Sequence, residues 1–226
     1  MDDNSQESFM EYVDTSIYDF PLKSIDGKDN ILATLKGKVS MLFNVTGECA
    51  NSPQYTIIED IYNEYKDLGF EVLALPSTDF CQDAYGEFSE SNTSAQNMRD
   101  HMKKVYGTDF PFSEMVNILD PDKDKEVYKR TREEYDKTDV DYYEAKGEIH
   151  PLFKELQKNS DLIHGNFEKF IVSKDGNRYV RFCNSDLLGL AYDSGNRTVS
   201  PEEALKNIKK AIEDFIQEEY DEDNIN

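Results

Sequence analysis

The residue with most chemical promise is Cys49, in the run Thr46-Gly47-Glu48-Cys49-Ala50-Asn51-Ser52-Pro53-Gln54-Tyr55. Just before it, Val39-Ser-Met-Leu-Phe-Asn-Val45 reads as a short buried strand, and just after it a helical pattern runs from Tyr55 to Lys66. A thiol is thereby placed where a strand hands over to a helix. In an α/β protein such a position is rigid on one side and faces the N–H groups of a first helical turn on the other, which favours an anion. A thiolate stabilised in this way is a nucleophile. The competing reading is a small inert hydrophobe, as most cysteines are; Glu48 and Asn51 on either side argue against wholly apolar surroundings. The other two cysteines, Cys81 and Cys183, make with Cys49 neither a disulfide framework nor a zinc-ligand spacing, so a reducing, cytoplasmic setting is the expectation.

The elements that must position Cys49 follow from periodicity. Tyr55, Ile58, Ile61, Tyr62 and Tyr65 share one helical face, closed by Leu68-Gly69. Phe70-Glu-Val-Leu-Ala-Leu75 is a second buried strand stopped by Pro76, which makes a strand–helix–strand unit with a right-handed parallel crossover. Ala95 to Tyr106 reads as a helix ending at Gly107, and Met115–Leu119 as a short strand. Phe170–Val172 and Tyr179–Phe182 flank Asp175-Gly176, a hairpin signal. Ser200-Pro201-Glu202-Glu203 starts a last helix with a serine cap, proline at its first position and acids in its first turn. Towards the N-terminus, Ser16–Pro21 and Leu22–Lys28 read as two short strands around Asp26-Gly27. Residues 1–14 read as a loose acidic arm with one helical turn around Phe9–Val13. Asp120–Glu148 is charged, with helical spacing at Val127, Tyr128, Tyr135, Tyr142 and Tyr143. A Ca²⁺ loop at Asp120–Glu126 fails for want of the sixth-position glycine and the twelfth-position glutamate.

Composition bounds the function classes. The chain of 226 residues carries a formal net charge of −22 with 38% hydrophobic residues. That is enough apolar material for a real core, and the charge opposes binding to nucleic-acid phosphates or anionic membranes. No apolar run is long enough to span a bilayer, and Met1–Ser8 lacks the basic and apolar regions of a signal peptide.

Several strings together carry a resemblance: Tyr18-Asp19-Phe20 with Asp26-Gly27-Lys28; Asn44-Val45-Thr46-Gly47, Cys49 and Ser52-Pro53-Gln54-Tyr55; Gly69-Phe70-Glu71-Val72-Leu73; Tyr106-Gly107 with Phe110-Pro111; and His164-Gly165-Asn166-Phe167-Glu168-Lys169-Phe170. In this order they resemble the glutathione-peroxidase family. The resemblance implies an α/β, thioredoxin-like fold: a central mixed β-sheet flanked by helices, with an N-terminal β-hairpin. It implies an acidic arm at 1–15, a peroxidase domain at 16–218 with insertions at about 84–95 and 121–147, and an acidic tail at 219–226.

What the resemblance implies for the site is a thiol peroxidase. Cys49 matches the residue that attacks the O–O bond, and Asn166 matches the family's asparagine donor, although an asparagine merely capping a strand entry is the alternative. The family's glutamine falls on Gln82 if the loop slips by one residue and on Asp83 without a slip, where a carboxylate would repel a thiolate; Gln82 is preferred because the loop length changes nearby, with a solvated loop glutamine as the alternative. The family's tryptophan is absent, with Gly165 in its place. A resolving cysteine found in many members falls at about Met102 here. Reduction of an oxidised Cys49 is therefore expected from an external thiol such as glutathione or thioredoxin, or from Cys81; Cys183 reads as structural. No prosthetic cofactor or metal is implied. The substrates implied are a hydroperoxide and a thiol reductant, and the acidic, tyrosine-rich insertion is a candidate surface for a protein partner. The departures keep a second hypothesis open, a catalytically impaired member acting as an interaction or structural component. A disulfide reductase is weaker, since no Cys-x-x-Cys is present.

Overall fold

The computed structural model describes residues 10–81, 90–123, 129–131, 140–142, 145–158, 160, 162–163, 165–188 and 199–219. The described strands are β1 (Met10–Tyr12), β2 (Val39–Val45), β3 (Phe70–Pro76), β4 (Lys129–Thr131), β5 (Val140–Tyr142), β6 (Lys169–Val172) and β7 (Arg178–Phe182). The α-helices are α1 (Gln54–Tyr65), α2 (Ala95–Tyr106), α3 (Pro151–Leu156) and α4 (Pro201–Gln217).

The main sheet has the order β1-β7-β6-β2-β3. β2 runs parallel to β3 and antiparallel to β6, and the β6–β7 hairpin and β1 continue the sheet antiparallel. β2 is central and buried along its whole length, which is why its sequence reads as a nearly continuous apolar run rather than an alternation. Its two faces still obey the period of two. Val39, Met41, Phe43 and Val45 enter a core shared with α1, α2 and α4. Leu42 enters a second core on the other face, with Leu152, Phe153 and Leu156 of α3. The polar residues of that second face each have a task. Ser40 meets the Tyr18 hydroxyl at 2.9 Å, and Asn44 holds a turn described below.

The helices form for the reasons their spacing gives. α4 buries Ala204, Ile208, Ala211, Ile212 and Phe215, one stripe at helical period, behind a Ser200 side chain that accepts from the Glu203 N–H. α1 buries Tyr55, Ile58, Ile61 and Tyr65, while Tyr62 is only partly covered. The chain after α1 stops at Gly69, and α2 stops at Gly107; both glycines lie in the left-handed region that terminates helices.

Four local expectations change. The reversal at Asp26-Gly27 is present, with the Ser24 N–H donating to Lys28 O at 2.8 Å and the Ile31 N–H to Leu22 O at 2.9 Å. Its N-terminal limb is not a strand, however: Ile17–Asp19 is a 3-10 turn capped by Ser16, whose hydroxyl competes for backbone N–H groups. Met10–Tyr12, expected in a helical turn, pairs with β7 because the hairpin leaves an open strand edge there. Met115–Leu119 is extended without being a strand; the bridges form just before it, Phe112 to Ala74 and Ser113 to Ser24. The helical spacing within Asp120–Glu148 gives way, where that stretch is described, to the antiparallel pair β4–β5. Its apolar and tyrosine positions, Val127, Tyr128, Tyr135, Tyr142 and Tyr143, are too sparse to favour one period, so spacing alone could not arbitrate. Tyr128, Tyr135 and Tyr143 lie outside the described residues.

Candidate active site at the ends of β2 and β3

The parallel register sets Val45 beside Pro76, so both chains leave the sheet at one edge. The Ser77 N–H donates to Val45 O at 2.9 Å and keeps them together for one residue more. The β2 chain then makes the turn that carries Cys49. Gly47 is required there by close approach: a Cβ on it would fall on the carbonyl of Ser91. Asn92, next to Ser91, locks the turn. Its Oδ1 accepts from the Thr46 hydroxyl at 2.8 Å and from the Glu48 N–H at 3.0 Å, and its amide donates to Glu48 O at 3.2 Å. Tyr55, buried at the start of α1, donates its hydroxyl to Thr46 O at 2.6 Å.

Cys49 itself is half-buried. Its N–H donates to Ser52 Oγ at 2.8 Å, the Asn51 N–H points to its Sγ at 3.4 Å, and the Ser52 hydroxyl points to the same sulfur at 3.8 Å. The donors that reach the sulfur thus belong to the turn before α1. The first helical N–H groups, expected to do this, are engaged elsewhere: that of Gln54 with Asn51 O and that of Tyr55 with Ser52 O. Burial, with the negative charge of Glu48 nearby, pushes the pKa of the Tyr106 hydroxyl up, Ser52 acting against the rise.

Asn166 comes to the same place from the other side. It sits in the turn before β6, which Asn44 of β2 clamps: the Asn44 amide donates to Gly165 O at 2.9 Å, and its Oδ1 accepts from the Glu168 N–H at 2.9 Å. The Phe167 N–H donates to Asn44 O at 2.7 Å. Phe167 is held at a φ of 72°, a region costly for a bulky residue. Its ring packs edge-on against Tyr55, with centroids 4.7 Å apart. Asn166 O accepts from the Asn51 amide at 3.4 Å, and the Asn166 amide donates to Phe80 O at 3.4 Å. Asn51 and Asn166 are 7% and 5% exposed, yet neither Oδ1 has a hydrogen-bond partner among the described residues. A buried pair of unpartnered acceptors can receive an O–H donor.

Gln82 and Asp83 lie outside the described residues, so the choice between them is not placed. Met102 is fully buried in the core shared with α1. At Gly165, a Cβ would fall on the Asn184 amide nitrogen, so the space beside this backbone is filled by Asn184. Cys81, at the far end of the β3 chain, is buried with its sulfur 2.7 Å from Thr46 Oγ1 and 3.5 Å from Ser77 O. Burial pushes its thiol up to about 11, the Thr46 hydroxyl and the charge of Lys146 acting against the rise and Cys49 and Asp79 adding to it.

Beside the site lies a buried cation that the sequence gave no reason to single out. Lys169 Nζ donates to Gln54 Oε1 at 2.9 Å, Phe167 O at 2.7 Å and Cys183 O at 2.8 Å. The Gln54 amide in turn donates to Asn184 O at 2.6 Å. Lys169 therefore ties the start of α1 to the Asn166 turn and the end of β7. Burial lowers its pKa to about 8, with Asp186, Glu168 and Cys183 opposing. Ser52, Asn92 and Tyr106 were likewise missed as neighbours of the thiol, whereas Asn51 was already named beside it. Only Ser52 had a signal, its fixed distance of three residues from Cys49.

A thiol at the strand-to-helix turn of a sheet with this order and register defines a thioredoxin-like protein. The structures of T. cruzi GPX1 (TM-score 0.51, 20% identity, 88% of this chain and 97% of that one) and of Trgpx in apo form (TM-score 0.52, 22% identity, the same coverages) share the fold. The glutathione peroxidase family model matches residues 17–132. The Nicotiana sylvestris protein named "Probable phospholipid hydroperoxide glutathione peroxidase" is 31% identical over 206 residues, 87% of this chain and 93% of that one. The glutathione peroxidase of Lactococcus lactis subsp. cremoris is 27% identical over 202 residues, 87% of this chain and 99% of that one. The chain belongs to the glutathione peroxidase family, and this membership supports a thiol peroxidase function.

Proposed function

We propose that the chain reduces hydroperoxides through Cys49. The observation that carries this reading is the half-buried Cys49 sulfur facing the Asn51 N–H and the Ser52 hydroxyl, at the edge where β2 and β3 end. Both donors favour the thiolate over the thiol. The sulfur attacks the nearer peroxide oxygen; an S–O bond forms, the O–O bond breaks, and the departing alkoxide or hydroxide takes up a proton. Cys49 becomes a sulfenic acid. Asn166 and Gln82 are the donors assigned to the thiolate and the leaving oxygen. An external thiol of the glutathione or thioredoxin kind returns the sulfur to the thiol, and no prosthetic group or metal is involved. The setting is the reducing cytoplasm, with neither nucleic acid nor membrane as partner.

Gly165 and Asn184 favour a second reading. Where the family resemblance implies an indole N–H, this chain has a backbone backed by an amide. On that reading the protein is a catalytically impaired member acting as an interaction component, with the acidic, tyrosine-rich insertion as its partner surface. Peroxide consumption by the full chain, with glutathione or reduced thioredoxin supplied, separates the two. Turnover that vanishes in Cys49→Ser supports the peroxidase. Consumption that is unchanged in Cys49→Ser, or absent from the wild type with every reductant, overturns it.

A further inference from the structure

Glu48 stands beside the reactive sulfur with no part in the mechanism above. It is the residue before Cys49, and it is exposed where Cys49 is half-buried. Consecutive Cα atoms lie about 3.8 Å apart, so in every rotamer the carboxylate stays within roughly 11 Å of the Cys49 sulfur. That is about one Debye length at ordinary ionic strength. The turn holds the carboxylate at this place. Asn92 accepts from the Glu48 N–H at 3.0 Å and donates to Glu48 O at 3.2 Å, while Gly47 lies against the Ser91 carbonyl. Tyr106, the last residue of α2, sets its ring 5.6 Å from that of Tyr55, and its hydroxyl is near enough to Glu48 and Cys49 for both to raise its pKa. A second exposed carboxylate, Glu90, opens the 3-10 turn Glu90–Asn92 that carries the lock. Among the described residues no cation pairs with Glu48. Lys169 is buried on three oxygens, Lys103 pairs with Asp109 at 2.7 Å, and Lys146 donates to Thr78 O on the Cys81 side.

We propose that Glu48 sets the charge preference of the site, disfavouring anionic reactants, glutathione among them, and favouring a reductant that carries its thiol beside positive charge. The claim about the reductant rests on the peroxidase reading of Cys49. The reductant's thiolate attacks the sulfenic sulfur of Cys49; an S–S bond forms, the S–O bond breaks, and the leaving hydroxide takes up the thiol's proton to give water. A second thiolate attacks the reductant's sulfur in this mixed disulfide, so that the two reductant molecules leave as a disulfide and Cys49 leaves as a thiolate. Each attacking thiolate approaches past the Glu48 carboxylate. Glutathione brings two carboxylates against one ammonium and is repelled further, whereas an ammonium beside the thiol offsets the repulsion. For unit charges about 6 Å apart in water the effect is about threefold in rate per unit of reactant charge.

The first arm of the experiment needs no peroxide. The reduced full chain is treated with methanethiosulfonate reagents ending in trimethylammonium, hydroxyl or sulfonate, and modification of Cys49 is timed by mass spectrometry. The cation-to-anion rate ratio in the wild type should be about tenfold above that in Glu48→Gln at low salt. It should be kept in Glu48→Asp and mostly lost in about 1 M salt. In the second arm Cys49 is oxidised with one equivalent of hydrogen peroxide, checked as a sulfenic acid with dimedone, and reduced with cysteamine, 2-mercaptoethanol or 2-mercaptoethanesulfonate. The wild-type rate divided by the Glu48→Gln rate should fall about threefold at each step from cation to anion. This quotient cancels the thiols' own reactivities, and a merely structural effect of the substitution would move all three together. A first-arm ratio equal in wild type and Glu48→Gln overturns the role of Glu48 and leaves the peroxidase reading standing. A charge order in the first arm with none in the second overturns the reductant preference. Cys49 that shows the first-arm order yet is never oxidised by peroxide overturns the peroxidase reading and the reductant preference with it.

Discussion

Lys169 offers the sharpest quantitative test of how the site is held. Its ammonium is fully buried on three oxygens, and its pKa is lowered from 10.5 to about 8. Below about pH 8 the folded and unfolded chains both hold the proton, and the group adds no pH dependence. Between about 8 and 10.5 the unfolded chain holds it more often, so stability rises with pH across that window and levels off once the unfolded lysine is neutral too. Integrated from about pH 7 to about pH 9.5, the gain is about 2 kcal/mol. The perturbation is Lys169→Met. Deleting the ammonium strips Gln54 Oε1, Phe167 O and Cys183 O of a donor and relieves a buried charge, opposing effects that set the offset between the two proteins. The slope of that offset with pH isolates the titration, because the other groups are common to both. Cys81, for example, has its pKa raised and loses stability as pH climbs from about 9 to about 11 in either protein. Urea unfolding of wild type and Lys169→Met at half-unit pH steps reads this directly. The wild type should gain about 2 kcal/mol on the variant across the window. A difference that stays flat, or that falls with pH, would refute the picture of a buried ammonium holding the site together.

Three further outcomes follow from the same geometry. Gly165→Trp should destabilise the fold rather than improve catalysis, because its Cβ meets the Asn184 amide; thermal melting of Gly165→Trp beside Gly165→Trp with Asn184→Gly should show the second change recovering part of the loss. Glu168→Gln breaks an ion pair with Arg181 at 2.6 Å whose side chains are 8% and 9% exposed; removing one partner of a buried pair costs about 3–5 kcal/mol, measurable by urea unfolding at neutral pH. Asn44→Ala leaves Gly165 O and the Glu168 N–H unpaired inside the protein, at about 1–3 kcal/mol each; amide hydrogen exchange at Phe167 and Glu168 should speed up well before that of β3.

The sequence carried the parts of the fold governed by local periodicity and capping. β2, β3, α1, α2, the β6–β7 hairpin and α4 stand close to where their patterns put them, and the family strings fixed the order that joins them. Elements decided by tertiary pairing were not legible: β1 forms because β7 has an open edge, and Ile17–Asp19 turns because Ser16 caps it. In the site, the thiol and Asn166 were legible because each sits in a string of fixed spacing. Asn92, Tyr106 and Lys169 were not, because what brings the first two to the Cys49 turn and Lys169 to the start of α1 is the meeting of α2, β6 and the Ser91 turn across a long stretch of chain. The loss of an indole at Gly165 was legible; that Asn184 fills the space was not, since the two are neighbours only in the folded molecule.

The central claim is that Cys49 is a nucleophile toward peroxide. Its most direct measurement is the rate of hydrogen-peroxide oxidation of Cys49, followed with a sulfenic-acid probe across a pH series in wild type and Cys49→Ser. The account predicts labelling much faster than that of a cysteine in an unstructured peptide, with the rate levelling off well below the ordinary thiol pKa of about 8.5, and no such labelling in Cys49→Ser. Labelling no faster than the peptide's would contradict it.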